Sequence, residues 1–382
     1  MRQLPQPSAL LLLLALVSTA HASPRDYKQF RNWTRQFGFI FERTLQESCM
    51  QEYDIYLYGT HQNVTAPWDE GGGEMSKFIQ PTISCLLENL NEYVKVSMSI
   101  SQIILGLAPT ILALSGASSL ETSLIAVIGK RPVLAMLIAW GSPGIYIDRA
   151  FQYPCPRGIL KGQDGRYHQC WDTSSTRLRR CLGRSLVGLE YIATLGAVTN
   201  VALASWGLGT MAICMVAPNF TYFPLSWVVV GITVHIAGAV SLSLRSRRVL
   251  VEDGYSDGRG IRFCSALRCL RQCVSSEFRL LGKTQNGKIC VQWLDESVAF
   301  LAISWFHSLL CVAHVIFGTI IFSGMIFIGP MDAFIVFFQF LASCLLCRIV
   351  LIFELAGLRE AYDDGDVPPV LEQVVGSKGA GI

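Results

Sequence analysis

His307, Cys311 and His314 fall at i, i+4 and i+7 of one apolar stretch and so share one face of a helix. His235 lies in the middle of another apolar stretch and can approach that face, and Asn200 lies in the middle of a third. Polar groups in hydrocarbon are costly, so these residues face a bundle interior or a cavity. Neutral imidazoles at such spacing can ligate haem or copper, or relay protons. They can equally hydrogen-bond a neighbouring helix. A haem-binding bundle usually offers two histidines on each of two helices, and here the second helix offers one. The pattern therefore favours helix-to-helix bonding, and it assigns no catalytic residue, no metal ligand and no cofactor.

The cysteines sort by position. Cys49 and Cys85 sit in the N-terminal part. In an oxidising compartment they pair, stabilising a small unit by about 3–4 kcal/mol; the alternative is two buried thiols. Cys155, His168, Cys170 and Cys181 lack the paired C-x-x-C knuckles of a zinc site. Cys264, Cys269 and Cys273 stand among Arg262, Arg268, Arg271 and Arg279, with apolar residues at near-helical spacing. The 258–282 segment thus reads as a basic amphipathic helix. It lies either on anionic lipids, with the three cysteines open to palmitoylation, or against the membrane domain without lipid. Cys344 and Cys347 have C-x-x-C spacing inside an apolar helix, which suits core thiols or lipidation better than redox chemistry.

No phosphate loop, zinc-protease helix or nucleophile elbow occurs in the chain. No carboxylate pair sits where a catalytic cleft is expected. Arg184, Glu190, Arg348 and Glu354 fall near the ends of apolar stretches, where they can snorkel or pair at the interface.

The elements that carry these residues follow from composition. Of 382 residues, 51% are hydrophobic and 15% charged, and the mean hydropathy is +0.41. Soluble domains carry about 25% charged residues, so a wholly soluble protein is excluded. The net charge of +3 is too mild to imply nucleic acid. Arg2, the apolar run Ala9 to Val17 and Ala20-His21-Ala22 read as a signal peptide over 1–22. The alternative is an uncleaved signal anchor. Either places 23–95 outside the cytosol as a small lumenal or extracellular domain. The sequons at Asn32 and Asn63 agree with that side.

A transmembrane domain fills 96–354, with spans near 97–117, 186–213, 225–244, 298–320 and 332–353, and a tail follows over 355–382. The segment 132–146 is doubtful. As a helix it covers about 22 Å, short of the roughly 30 Å of hydrocarbon. Charge arbitrates. The 149–185 loop carries Arg149, Arg157, Lys161, Arg166, Arg177, Arg179, Arg180 and Arg184 against Asp164 and Asp172, and basic residues also lead in 245–297. Such loops prefer the cytosol. The uncharged 214–224 loop, with a third sequon at Asn219, suits the lumen. These placements agree only for five crossings, a re-entrant or interfacial 132–146 segment and a cytosolic C-terminus.

Leu105 to Leu114, Lys130 to Ala135 and Gly141-Ser142-Pro143 resemble a pattern in uncharacterised multi-pass membrane proteins of filamentous fungi. The resemblance covers mainly residues 95–150. It implies that the short 132–146 segment is a regular part of the architecture, and it implies no activity.

The expectation is an all-α polytopic helix bundle with a small N-terminal domain. Its expected partners are the bilayer and anionic lipids at 258–282, and no nucleic acid. The leading function is a non-enzymatic receptor-like, scaffold or accessory component. The alternatives are a channel or transporter with a re-entrant segment, and a membrane redox protein using the histidines.

Overall fold

The computed structural model describes residues 29–58, 78–146, 151, 156–161, 176–251, 277–278 and 288–362. Within them the chain is mostly helical. Five helices are long and apolar enough to cross a membrane: α4 (Glu92–Ser115), the Ser185–Met211 part of α8 (Thr176–Met211), α9 (Phe223–Arg245), α10 (Val298–Ser323) and α11 (Pro330–Ala361). Each overlaps an apolar stretch expected from sequence, with α4 starting five residues earlier and α11 ending eight residues later than expected. The remaining helices are α1 (Gly38–Ser48), α2 (Met50–Tyr58), α3 (Gln80–Asn89), α5 (Ser119–Ser123), α6 (Pro132–Gly141) and α7 (Pro156–Lys161). Four strands complete the set: β1 (Ile213–Cys214), β2 (Ser246–Val251), β3 (Lys288–Trp293) and β4 (Met325–Ile326).

The chain divides into two compact units. The first comprises 1–102, 207–223 and 324–332. Its N-terminal helices do not fold around themselves alone. Phe41, Leu45, Tyr56, Ile79, Leu86 and Leu90 share one core with Ile213, Ile326 and Phe327, which come from the short connections after α8 and α10. Aromatic rings dominate this core, with Phe41 5.4 Å from both Trp33 and Phe327. The two connections pair as antiparallel β1–β4, Ile213 opposite Ile326. Gln36 fixes the arrangement. Its backbone N–H donates to Asp332 Oδ2 (2.8 Å), and its side-chain Oε1 accepts from the Met331 N–H (2.9 Å). A disulfide joins Cys49 to Cys85 across 36 positions. Helix α4 starts where the Asn91 side chain accepts the Val94 N–H at 2.9 Å, a helix-capping bond.

The second unit comprises 103–206, 224–323 and 333–382. Here the doubtful segment resolves into a closed excursion. Ser118 caps α5 with a reciprocal capping box to Glu121. A π-helical turn (Leu124–Ile128) follows, and Lys130 adopts a left-handed φ of 55° before Pro132 starts α6. Ser118 and Tyr146 then form a bridge, so the segment returns to where it left. At ten residues α6 covers about 15 Å, half of what a crossing needs.

The return rests on a close backbone approach. A Cβ on Gly116 would lie 1.8 Å from the Gly144 carbonyl oxygen, and one on Gly144 would lie 2.4 Å from Leu112 C and O. Backbone atoms cannot rotate away, so Gly144→Ala is expected to destabilise by at least the roughly 1–3 kcal/mol of an overpacked core. Thermal unfolding in detergent followed by size exclusion checks this. Exposed Gly188, with nothing within 4 Å, serves as the tolerant control.

One departure from the all-α expectation lies in the 245–297 loop. Ser246–Val251 pairs antiparallel with Lys288–Trp293, Arg248 opposite Val291. The alternation fits it: Ile289 and Val291, two positions apart, are buried, while Gln292 next to Val291 is only partly buried. The 1–22 signal, Asn63, Cys155, His168, Cys170, Cys264, Cys269, Cys273, most of 258–282 and the tail beyond 362 lie outside the described residues. The Cys181 side chain does so as well.

Candidate functional site

The most concentrated polar chemistry in the second unit centres on Arg131, whose side chain is fully buried. Its guanidinium is shared by two carboxylates from two different spans. Glu190 Oε2 of α8 lies 3.0 Å from one terminal nitrogen, and Glu354 Oε1 of α11 lies 2.5 Å from the other. Nε donates to the Glu277 carbonyl oxygen at 2.9 Å. The Glu277 carboxylate in turn accepts from the Leu134 N–H (2.8 Å) and the Tyr191 hydroxyl (2.7 Å). Tyr191 also offers its ring face to the guanidinium, 5.7 Å away. Burial opposes the charge on Arg131, and Glu354 and then Glu190 outweigh it, so its pKa is raised. A planar fork that stays charged can hold two carboxylates at once, as an ammonium cannot.

Of the two fates expected for Glu190 and Glu354, pairing is the one found: they are 6% and 1% exposed, and Arg131 sits between them. Arg348 also turns inward, pairing with Glu121 at the capping box of α5. Glu190 Oε1 and both Glu354 oxygens lack a hydrogen-bond partner among the described residues, Glu354 Oε1 meeting Arg131 as an ion pair. The cluster joins the α6 start, α8, α11 and the 277–278 piece of the basic loop. It builds a staple, and no open cleft is among its features.

The histidines go to separate partners. His235 of α9 has its Nδ1 2.8 Å from Thr122 Oγ1. His314 Nε2 donates to the Pro143 carbonyl oxygen at 3.1 Å, and its ring stacks on Trp227 at 5.1 Å, tilted by 5°. Trp227 Nε1 donates to the His314 carbonyl at 3.1 Å. His307 Nε2 lies 3.5 Å from Cys311 Sγ. His314 packs against Gly231, one turn from His235, so α9 and α10 do bring these two rings to one face of α9. Each ring nonetheless bonds the 118–146 excursion instead of its fellow. Asn200 Nδ2 donates to Gln339 O and Ser343 Oγ, both at 2.9 Å, and ties α8 to α11. Among the described residues no group of three or more His, Cys, Asp or Glu side chains is placed to hold a metal ion.

The chain matches no protein-family model, no curated protein and no solved structure.

Placement of the remaining candidates is mixed. Asn32 is exposed in the first unit, whereas Asn219 is 4% exposed there. Cys344 and Cys347 are fully buried, as core thiols are. Arg131 and Glu277 were not singled out from sequence. The signal that points to Arg131 is its position before Pro132 and an apolar helix, with glutamates inside two apolar windows elsewhere.

Proposed function

We propose that this protein crosses the membrane five times, with residues 23–95 on the lumenal or extracellular side, and acts as a non-enzymatic receptor-like, scaffold or accessory component. The observation that carries the reading is the fixation of Glu277. That residue belongs to the long basic loop, and its carboxylate and carbonyl are both bound into the buried Arg131 cluster. Glu277 thereby ties that loop to the membrane domain, and such an anchor suits a docking role.

Crossing number has its own support. The β1–β4 pair and the shared core bring the connection after α8 and the connection after α10 together with α1–α3, which supports a common side for them. The excursion from Ser118 to Tyr146 begins and ends at one place. Both agree with a single crossing by α4, four more by the other long helices, and basic loops on the cytosolic side. Lumenal sequons, a signal peptide and the Cys49–Cys85 bridge set the sidedness in this reading.

Native gel electrophoresis of membranes carrying the tagged full chain tests the function. The wild type is expected to migrate in a larger assembly, and Glu277→Gln to migrate at the size of the chain alone while still solubilising as a monodisperse protein. Migration at the size of the chain alone for both proteins, together with solute flux in proteoliposomes, would contradict it.

A channel or transporter is the second reading. The return of 118–146 to its starting point favours it, and a π-helical turn inside such a segment is a frequent mark of function. The same proteoliposomes decide between the two.

A further inference from the structure

Three carboxyl oxygens of the Arg131 cluster have no donor among the described residues. They are Glu190 Oε1 and both oxygens of Glu354, each with under 1 Å² of accessible surface. Arg131 serves both acids, 3.0 Å from Glu190 Oε2 and 2.5 Å from Glu354 Oε1. The two carboxyl groups also lie within hydrogen-bond reach of each other. An ionised carboxylate can only accept, so two of them in contact have no bond to make. A hydrogen on one of them turns the contact into an O–H···O bond and supplies the missing donor.

Charge leads to the same place. One guanidinium between two ionised carboxylates leaves a net negative charge on side chains that are 0%, 7% and 1% exposed. A buried charge is costly unless it is paired, and one hydrogen ion removes the excess. Glu277 is not the group that needs it. Its carboxylate already accepts from the Leu134 N–H and the Tyr191 hydroxyl. The charged and titratable groups that face the pair are thus Arg131 at the start of α6, Tyr191 on α8 and Glu277 from the basic loop. A metal ion fits less well, because among the described residues no third His, Cys, Asp or Glu is placed to complete its ligands.

We infer that Glu190 and Glu354 together bind one exchangeable proton, and that its loss loosens the loop held at Glu277. Without the proton, two carboxylates in contact repel each other across a single guanidinium. The Nε of that same guanidinium holds the Glu277 carbonyl, so a shift of Arg131 weakens the anchor. The sign follows from linkage. A proton held by the folded chain, and absent from the unfolded chain at neutral pH, stabilises the fold until rising pH removes it. The anchor therefore weakens as pH is raised above neutrality. The inference rests on the reading of Glu277 as the anchor of the loop.

The full chain, purified in detergent, is titrated from about pH 7 to about pH 9, the range in which buried acids of this kind release protons. Infrared spectroscopy is expected to show a carboxylic C=O band at the low end that shifts in D₂O and fades at the high end. Glu190→Gln and Glu354→Gln each replace the shared acid with a neutral amide, and each is expected to lack that band. In parallel, trypsin cuts the 252–276 stretch, which carries Arg259, Arg262, Arg268 and Arg271. Dividing the wild-type rate by that of Glu190→Gln at the same pH cancels the pH dependence of the protease. The ratio is expected to rise with pH, by at most about tenfold per pH unit for one proton. Glu354→Gln takes over as the reference if Glu190→Gln folds poorly, and the wild-type infrared titration needs neither. Absence of a titrating carboxylic band from the wild type, or its survival in both variants, would overturn the bound proton. A titrating band with a flat cleavage ratio would overturn its coupling to the loop. A chain that migrates alone on the native gel would remove the proposed assembly and leave both of these results as expected.

Discussion

Arg131→Leu is expected to abolish a stable fold of the second unit. The substitution leaves Glu190 and Glu354 buried without their cation and strips the Glu277 carbonyl of its donor. Removing one partner of a buried ion pair costs about 3–5 kcal/mol, which is a large share of the stability of an ordinary domain. Fluorescence-detected size exclusion of a tagged chain should show loss of the monodisperse peak. The compensated variant is the sharper arm. Arg131→Met combined with Glu190→Gln and Glu354→Gln removes all three charges together. Neutral side chains of similar volume often restore stability at such sites, so this triple variant is expected to recover the peak in part. Arg131→Lys should fall between, because an ammonium cannot present a fork to two carboxylates. Equal behaviour of Arg131→Leu and wild type would show that the cluster contributes little.

The second large effect is expected in the first unit. Cys49→Ser with Cys85→Ser opens a cross-link over 36 positions, which the chain-entropy account values at about 4 kcal/mol. The bridge ties the end of α1 to α3, and Cys49 lies in the aromatic core with Phe41 and Leu86. Limited proteolysis of membranes from the outer face should cut the double variant within 30–90 at least tenfold faster than the wild type. Alkylation before and after reduction, read as a mass shift, should show the two wild-type thiols protected until reductant is added. Thiols that alkylate freely in native membranes would contradict an oxidising location for this unit.

The five long helices were legible because hydropathy is a one-dimensional signal. About 20 apolar residues in a row have few alternatives, and the helices match the stretches read from sequence. The short 132–146 segment was legible as doubtful, since its length is visible in the chain, and its helix is ten residues long. What the sequence could not yield was partnership. Arg131 meets Glu190, Glu277 and Glu354, which lie 59, 146 and 223 positions away, so no local spacing announces the cluster. Lys130-Arg131 looked like an ordinary basic flank, and a glutamate near a span end looks the same whether it snorkels or packs inward.

The histidine face shows the opposite failure. The i, i+4, i+7 spacing was real, but periodicity places residues on a face without saying what they meet there. His314 meets Pro143 and Trp227, and His235 meets Thr122. The core of the N-terminal unit was hidden in a related way, because Ile213, Ile326 and Phe327 from distant connections complete it. The β2–β3 pair escaped because consecutive arginines, Arg247-Arg248, break the polar–apolar alternation that marks a strand.

All of this organisation presupposes that the two ends of the chain lie on opposite sides of one membrane after five crossings. Protease protection of a tag placed after Ile382, in sealed microsomes, tests that directly. The account predicts a tag that protease removes without detergent, while the 30–98 region stays protected. A protected tag would require a sixth crossing, place the basic loops in the lumen and contradict the account.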